Sequence, residues 1–337
     1  MKIVSFYNEP WEKEYLSEKL SKYDIVFYDG IVQDHADVSD ADVEAMLVFV
    51  KSHVGAEEMD QFPNLKYIAT RSTGFDHIDL DEAKKRGIVV SNVPTYGENS
   101  VAEMAFALLL ALSRRIYDGY KQVVEESNFS PKGLTGFDLR GKTLGIVGTG
   151  HIGSYAIRMG KGFSMDVIAF DPHHDDALAK ELGFRYCDTL EELFAQSDVI
   201  SLHVPHNKHT HHMINMESIG KIKKGAVLIN TARGPVVETM AMVKALEEGI
   251  LAGAGLDVLE EEDVMMDEMA LLREEVPTSE ELRNVLANQY LIDHPRVIVT
   301  PHNAFNTTEA LHRILDTTVE NIEGFTKGDP VNVVEKK

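Results

Sequence analysis

The stretch TLGIVGTGHIGSYAIRMG, residues 143–160, decides the fold. Thr143–Val147 is an apolar run with the length of a buried strand. Gly148, Gly150 and Gly153 follow in G-x-G-x-x-G spacing, and the residues beyond them carry a helical pattern. In such a strand–turn–helix the first glycine permits the tight turn. The second lets a pyrophosphate approach the backbone, and the third lets helix and strand pack closely. The free N–H groups and the dipole at the helix start suit phosphate. Three glycines alone describe no more than a tight turn, so the next element matters. The run Asp166–Phe170 leads into Asp171, eighteen residues after Gly153, where a carboxylate can accept from a ribose 2′-hydroxyl. Strand, glycines, helix, strand and acid in that order predict a dinucleotide site. Asp171 would repel a 2′-phosphate, and Pro172, His173 and His174 offer no arginine to hold one. NAD is therefore expected rather than NADP.

Working outward, further strand candidates follow at Val199–His203, Ala226–Asn230, Ala254–Val258 and Val297–Thr300. With the first two they predict a six-stranded doubly wound sheet. Upstream, Lys2–Tyr7, Asp24–Tyr28, Ala45–Val50, Leu65–Thr70 and Ile88–Asn92 read as strands. Helical segments such as Trp11–Leu20, Ala56–Phe62 and Leu80–Arg86 lie between them. Short buried strands separated by helices imply a parallel sheet covered on both faces. Glu98–Tyr117 reads as one long apolar helix, capped by Asn99 or Ser100, bridging two domains. Thr307–Phe325 reads as a helix returning to the first domain. The fold class expected is α/β with two doubly wound parallel-sheet domains. A Rossmann NAD-binding domain, residues 99–304, is inserted into a discontinuous flavodoxin-like substrate domain, residues 1–98 plus 305–337. The acidic segment Glu260–Leu286 is expected to be a helical insertion with no assigned chemistry.

Composition narrows the function. The 337 residues carry a net charge of −22, which argues against nucleic acid or an anionic membrane as partner. The longest apolar run, Val101–Leu112, is interrupted by Glu103 and is too short to span a bilayer. The one cysteine, Cys187, suits a reducing cytoplasm and reads as a small core residue. The stretch HNKHTHHM, residues 206–213, has no zinc-site spacing and no cysteine nearby, so no metal is expected. His77 is expected to support a loop.

Seven stretches, in order, resemble motifs of the D-isomer-specific 2-hydroxyacid dehydrogenases, and the resemblance spans nearly the whole chain. They are RSTGFDHIDL (71–80), NVPTYGENSVAE (92–103), GIVGTGHIG (145–153), SLHVPHNKHTHHMI (201–214), NTARGPVVE (230–238), GAGLDVLEEE (253–262) and TPHNAF (300–305). TPHNAF with the threonine-rich helix start after it is most similar to the D-lactate dehydrogenase branch. The resemblance implies a catalytic set of Arg233, Glu262 and His302, with the active site in a cleft between two domains.

The implied roles make physical sense. Arg233 can fork onto the carboxylate of a 2-keto acid and polarise its carbonyl. Hydride would come from the nicotinamide and the proton from His302, which Glu262 orients and favours in its charged form. Each residue alone has a bland reading: a surface ligand, a solvated acid in an EEED run, a satisfied histidine. Together, at strand ends in a nucleotide-binding domain, they read as a site. By the same resemblance Thr149, His151 and Ile152 line the pyrophosphate turn. Val204, Pro205, Thr231, Ala232 and Asp257 surround the rest of the cofactor, with Asp257 accepting from the carboxamide. Ser72, Thr73 and Gly74 would meet the substrate carboxylate. Tyr96 and Phe305 would shape the substrate pocket, or simply pack at the domain junction. A homodimer is implied. The rival readings are a reductase of glyoxylate, hydroxypyruvate or a longer keto acid, and a non-enzymatic NAD(H)-sensing corepressor-type protein. A formate dehydrogenase fits less well, since glutamine partners its histidine where this chain has Glu262.

Overall fold

The computed structural model describes residues 1–7, 9–262 and 279–334. Residues 263–278, most of the acidic segment, therefore lie outside the described residues. The chain divides into two compact units: Met1–Gly97 with Asn306–Lys337, and Glu98–Phe305.

The first unit runs β1 (Lys2–Tyr7), α1 (Pro10–Lys19), β2 (Asp24–Asp29), β3 (Val43–Val48), α2 (Ala56–Asp60), β4 (Tyr67–Thr70), α3 (Leu80–Arg86) and β5 (Val89–Ser91). The strands form a parallel sheet in the order β2-β1-β3-β4-β5, the flavodoxin-like arrangement. Alternation along each strand sorts the side chains between two faces. Ile3, Ala45, Leu47, Tyr67 and Ala69 pack with Leu16 and Leu20 on one face. Val4, Phe6, Met46, Val48, Ile68 and Val90 pack with Met59, Phe62, Ile78 and Ala83 on the other. The first face is incomplete without the C-terminal helix, Thr308–Thr326. Its Leu315 and Ile322 join that core, and Phe325 stacks on Tyr67 with ring centroids 4.3 Å apart. This is why a segment from the far end of the chain belongs to the first sheet.

The second unit begins with α4 (Glu98–Ser113) and α5 (Ile116–Val124). The long helix expected over Glu98–Tyr117 is thus broken. The Ser113 carbonyl accepts from Phe137 N at 2.9 Å instead of continuing the helix, and Arg115 adopts a left-handed φ of 51°. Nor do Asn99 or Ser100 cap the start, because both lie inside the first turn.

The sheet follows: β6 (Thr143–Val147), α6 (His151–Gly162), β7 (Asp166–Phe170), α7 (Asp176–Leu182), β8 (Arg185–Tyr186), α8 (Leu190–Gln196), β9 (Val199–Leu202), β10 (Ala226–Asn230), α9 (Thr239–Glu247), β11 (Leu251–Leu256), α10 (Ser279–Asp293) and β12 (Val297–Val299). All pairings are parallel, in the order β12-β11-β10-β9-β6-β7-β8. The strand absent from the sequence reading is β8, a two-residue edge strand too short to show periodicity. Helices α4 and α6 cover one face through Ala102, Phe106, Leu109 and Ile157. Helices α8, α9 and α10 cover the other through Phe194, Met242, Leu246 and Leu291. Cys187 is buried in that second core.

Candidate active site

The order β9-β6 is the point where the strand sequence reverses, and ligands of open α/β sheets bind outside the carboxyl ends of the strands there. The glycine turn lies at this point. Gly148 has φ of 93°, and a Cβ on it would fall 2.4 Å from the His203 carbonyl oxygen. A Cβ on Gly153 would fall 2.0 Å from the Gly148 oxygen, so helix α6 can sit this close only with glycine there. A Cβ on Gly150 would meet nothing within 4 Å. The middle glycine therefore leaves room for a ligand rather than for the protein. The turn is held by Asp171, whose Oδ2 accepts from Thr149 N (2.8 Å) and Thr149 Oγ1 (3.2 Å) while Oδ1 accepts from His173 N (2.9 Å). The Tyr186 hydroxyl bonds Thr149 Oγ1 at 3.0 Å and stacks on His174.

Two buried polar atoms near this turn, His203 Nδ1 and Thr231 Oγ1, have no hydrogen-bond partner among the described residues. Asn230 pairs with Leu202, so His203 and Thr231 occupy the next positions, at the carboxyl ends of the adjacent strands β9 and β10. His203 Nε2 bonds Ser201 Oγ at 2.9 Å, and burial pushes the imidazole pKa down to about 4. The imidazole is therefore neutral at physiological pH. Orphaned buried polar atoms are rare, and a cradle with room at Gly150 beside two of them fits a dinucleotide. The sequence reading chose Val204 and Pro205 and passed over His203. The available signal was a polar residue ending an otherwise apolar strand. Val204 is half-buried and Pro205 exposed.

Arg233, Glu262 and His302 follow β10, β11 and β12, three neighbours in the sheet. Asn230 shapes the Arg233 turn from within: Nδ2 donates to the Arg233 carbonyl (3.0 Å) and Oδ1 accepts from Ala232 N (3.0 Å). The half-buried guanidinium donates Nη1 to the Ala232 carbonyl at 2.7 Å. No described carboxylate neutralises it, which leaves its charge available to an anion. The next residue, Gly234, backs onto the β11 loop; a Cβ there would fall 1.9 Å from the Leu259 oxygen.

Asp257 organises the histidine loop. Its buried carboxylate accepts from Thr300 Oγ1 (2.5 Å), Asn303 N (2.9 Å) and Ala304 N (2.8 Å). Its carbonyl accepts from His302 N at 2.8 Å. Burial raises the Asp257 pKa, and the three donors work against that rise. A carboxylate has about four lone-pair sites, so roughly one remains for the carboxamide expected of it. The loop holds His302 at φ 51°, a left-handed conformation uncommon outside glycine. His302 Nδ1 lies 2.7 Å from Glu262 Oε1, and Glu262 Oε2 accepts from Leu259 N at 3.3 Å. A carboxylate only accepts, so Nδ1 carries the hydrogen and Nε2 is left for another partner. The His302 side chain is 41 % exposed and Glu262 35 %, so the pair is open to a substrate and to proton exchange.

In the first unit, the loop after β4 is tied on both sides. Val93 N donates to Ser72 O (3.0 Å), Asn92 Nδ2 to Thr73 O (2.7 Å), and Ser72 Oγ to Gly74 O (2.6 Å). Thr70 Oγ1 bridges Ser72 Oγ (2.7 Å) and His77 Nε2 (3.0 Å), so His77 supports the loop. Burial lowers the His77 pKa to about 4. Among the described residues nothing accepts from the N–H groups of Thr73 and Gly74. Tyr96, half-buried, accepts from Arg313 Nε through its carbonyl. Phe305 is half-buried at the end of the second unit.

The histidine stretch makes a different arrangement: His206 Nε2 lies 3.1 Å from His211 Nδ1, His211 stacks on His212, and His212 Nε2 bonds Glu260 at 2.6 Å. Among the described residues no three His, Cys, Asp or Glu side chains are placed to hold a metal. No described helix is long and apolar enough to cross a membrane.

A doubly wound sheet with a glycine turn at its switch point, and a histidine–carboxylate pair two strands from an arginine that no described carboxylate neutralises, define a nucleotide-dependent oxidoreductase. Residues 106–304 match the family model described as "D-isomer specific 2-hydroxyacid dehydrogenase, NAD binding domain". The chain is 35% identical over 334 residues to the D-lactate dehydrogenase of Escherichia coli, covering 98% of each. It is 39% identical over 302 residues to the glyoxylate reductase of Thermococcus litoralis, covering 88% of this chain and 84% of the relative. The structure of D-lactate dehydrogenase from Aquifex aeolicus, complexed with NAD and lactic acid, is 38% identical and superposes with a TM-score of 0.84 over 97% of this chain and 96% of that one. The chain belongs to the D-isomer-specific 2-hydroxyacid dehydrogenase family, and it is an NAD-dependent oxidoreductase.

Proposed function

We propose that the chain reduces pyruvate, or a 2-keto acid of similar size, to the D-2-hydroxy acid, and catalyses the reverse reaction. The observation that carries the reading is the His302–Glu262 pair, in which Glu262 engages Nδ1 and leaves Nε2 for a substrate. Arg233 takes the substrate carboxylate and polarises the ketone. The free N–H groups of Thr73 and Gly74 add donors for the same carboxylate. His302 delivers a proton from Nε2 to the oxygen as negative charge develops there, and Glu262 holds the ring in place and stabilises its charge. NADH, when bound, supplies the hydride. The Gly148–Gly153 turn and helix α6 would hold its phosphates, and Asp171 its adenosine ribose. His203, Val204, Pro205, Thr231, Ala232 and Asp257 would surround the remainder, while Tyr96 and Phe305 would shape the substrate pocket. Residues 1–98 with 305–337 act as the substrate domain and 99–304 as the NAD domain in this reading.

Pyruvate is favoured over glyoxylate because the likeness to D-lactate dehydrogenase spans nearly the whole of both chains, whereas that to glyoxylate reductase does not. A homodimer is proposed as well. Helix α5 buries no residue and exposes Ile116, Tyr117, Tyr120, Val123 and Val124, a surface suited to a second copy. A reducing cytoplasm is the proposed location, given a single buried thiol.

The test follows NADH absorbance with keto acids from glyoxylate to phenylpyruvate, with chiral analysis of the product. Pyruvate should give the highest kcat/KM and a D-product. A clear preference for glyoxylate would overturn the substrate, an L-product the stereochemistry, and no turnover with any keto acid would favour the NAD(H)-sensing alternative.

A further inference from the structure

We infer that a buried ion pair in the first unit, Arg71–Glu12, is a positioning device for the Ser72–Gly74 loop and so sets the affinity for the keto acid carboxylate. The inference rests on the reading above that this loop receives that carboxylate.

Arg71 is the residue before the loop, and its side chain turns inward. It is the largest of the fully buried side chains. Nη1 donates to Glu12 Oε2 of α1 at 2.9 Å, with the side chains 2% and 10% exposed. Nη2 donates to the Phe6 carbonyl at 2.5 Å. The guanidinium lies 5.7 Å from the centroid of the Phe49 ring, and Arg71 N donates to Val48 O. One side chain thus joins α1 to the carboxyl ends of β1, β3 and β4. Between β1 and β3 the strand order of this sheet reverses, the place where open α/β sheets take their ligands.

Stability alone does not account for the pair. Desolvating two charges offsets most of their attraction, and apolar residues of similar volume commonly serve as well or better. Arg71 Nε is moreover buried without a hydrogen-bond partner among the described residues, a further cost. What the pair provides is a fixed position. The three loop carbonyls are already tied, to Val93, Asn92 and Ser72. The anchor on the upstream side is Arg71. With it released, the backbone that carries the Thr73 and Gly74 N–H groups loses its upstream anchor.

Positioning and direct electrostatic attraction predict opposite signs. Glu12→Gln leaves the Arg71 charge unneutralised, so an electrostatic role would tighten anion binding. A positioning role weakens it, because the guanidinium loses its ionic partner and the loop its anchor. The experiment compares wild type, Glu12→Gln and the double variant Arg71→Met/Glu12→Leu, which removes both charges. It measures KM and kcat for the best keto acid and Kd for oxamate, an unreactive keto acid isostere, on the enzyme–NADH complex. Kd for NADH and Tm complete the set.

Both variants should raise KM and the oxamate Kd about tenfold, the size of one weakened charge-assisted hydrogen bond, with kcat within about twofold and NADH binding unchanged. The double variant should melt no lower than wild type. Should Glu12→Gln fail to fold, the double variant decides alone. Wild-type KM and oxamate affinity in the double variant would reduce the pair to a space-filling role. Tighter oxamate binding by Glu12→Gln would replace positioning with direct attraction. Wild type that binds neither oxamate nor any keto acid would instead remove the functional reading, and this inference with it.

Discussion

Replacing Asp257 by asparagine tests how the histidine is aimed. The carboxylate serves three donors: Thr300 Oγ1 and Asn303 N on one oxygen, Ala304 N on the other. An asparagine has one carbonyl oxygen and one amide nitrogen. With the oxygen toward Thr300 and Asn303, the amide points at the Ala304 N–H, a donor facing a donor. Flipped, Thr300 can rotate its hydroxyl to accept, but the Asn303 N–H cannot. One backbone N–H therefore loses its acceptor in either orientation. Ala304 is buried, so the loss is about 1–3 kcal/mol. Burial already raises the Asp257 pKa, which means the charge is costly where it sits, and removing it returns part of that loss. A net destabilisation near 1 kcal/mol is expected, or a Tm lower by about 2–4 °C. The effect on turnover should be larger. His302 sits in the same short loop at φ 51°, and a displacement of about 1 Å at a catalytic group costs on the order of 10²-fold. Thermal melting and steady-state kinetics on Asp257→Asn therefore report different numbers: a small loss in Tm and a kcat lower by about 10²-fold. A kcat within threefold of wild type (roughly 0.6 kcal/mol) would show that the loop holds its shape without Asp257.

Arg233→Lys keeps the charge and loses the planar fork, so kcat/KM should fall by about 2–4 kcal/mol in transition-state terms while NADH binding, measured by fluorescence, stays unchanged. Gly153→Ala would place a Cβ 2.0 Å from the Gly148 oxygen, so helix α6 must shift; NADH affinity should drop by more than tenfold, and calorimetry finding wild-type affinity would contradict the role of the third glycine. His203 carries the pH prediction: its folded pKa of about 4 lies below the unfolded value near 6.5, so its contribution to stability is complete above about pH 6.5 and is lost as pH falls toward 4. By pH 5 the loss is about 2 kcal/mol, and melting curves of His203→Asn between pH 7 and pH 5 should show a correspondingly flatter dependence.

The sequence yielded most of the fold because strands buried on both faces are apolar throughout and stop at polar or glycine residues. Thr143–Val147, Asp166–Phe170 and Ala226–Asn230 match the structure to the residue. The misses have particular causes. β8 pairs through only two residues at the sheet edge, so its formation depends on β7 and not on its own pattern. The break after Ser113 depends on Phe137, 24 residues away, taking the carbonyl that the helix would have used. β11 begins at Leu251, earlier than expected, because Ala252 and Gly253 carry no strand signal of their own. At the site, the family resemblance implied the pairing of His302 with Glu262, which lie 2.7 Å apart, but it did not imply the work of Asp257. An acid read as a cofactor ligand accepts from a hydroxyl and two backbone N–H groups. Likewise Arg71 opens a stretch quoted for its family resemblance, and only its burial against Glu12 distinguishes it from a surface arginine.

The strand order also orients the chemistry. The residues proposed for the phosphates and the adenosine ribose, and those proposed for the nicotinamide half and the chemistry, fall on opposite sides of the switch point between β6 and β9. Gly148, Gly150 and Gly153 follow β6, Asp171 follows β7, and Tyr186 ends β8; these suit the phosphates and the adenosine ribose. On the other side His203, Thr231 and Arg233, Asp257 and Glu262, and His302 follow β9, β10, β11 and β12 in spatial sequence. A dinucleotide laid across the carboxyl ends with its pyrophosphate on the glycine turn has its nicotinamide half directed to the β9–β12 side. The orphaned His203 Nδ1 and Thr231 Oγ1 lie first along that path, and the His302–Glu262 pair lies last. The proposed proton donor, His302, thus follows a strand on the side proposed for the nicotinamide half. This placement follows from the strand order, since ligands of open parallel sheets bind outside the carboxyl ends of the strands at the switch point.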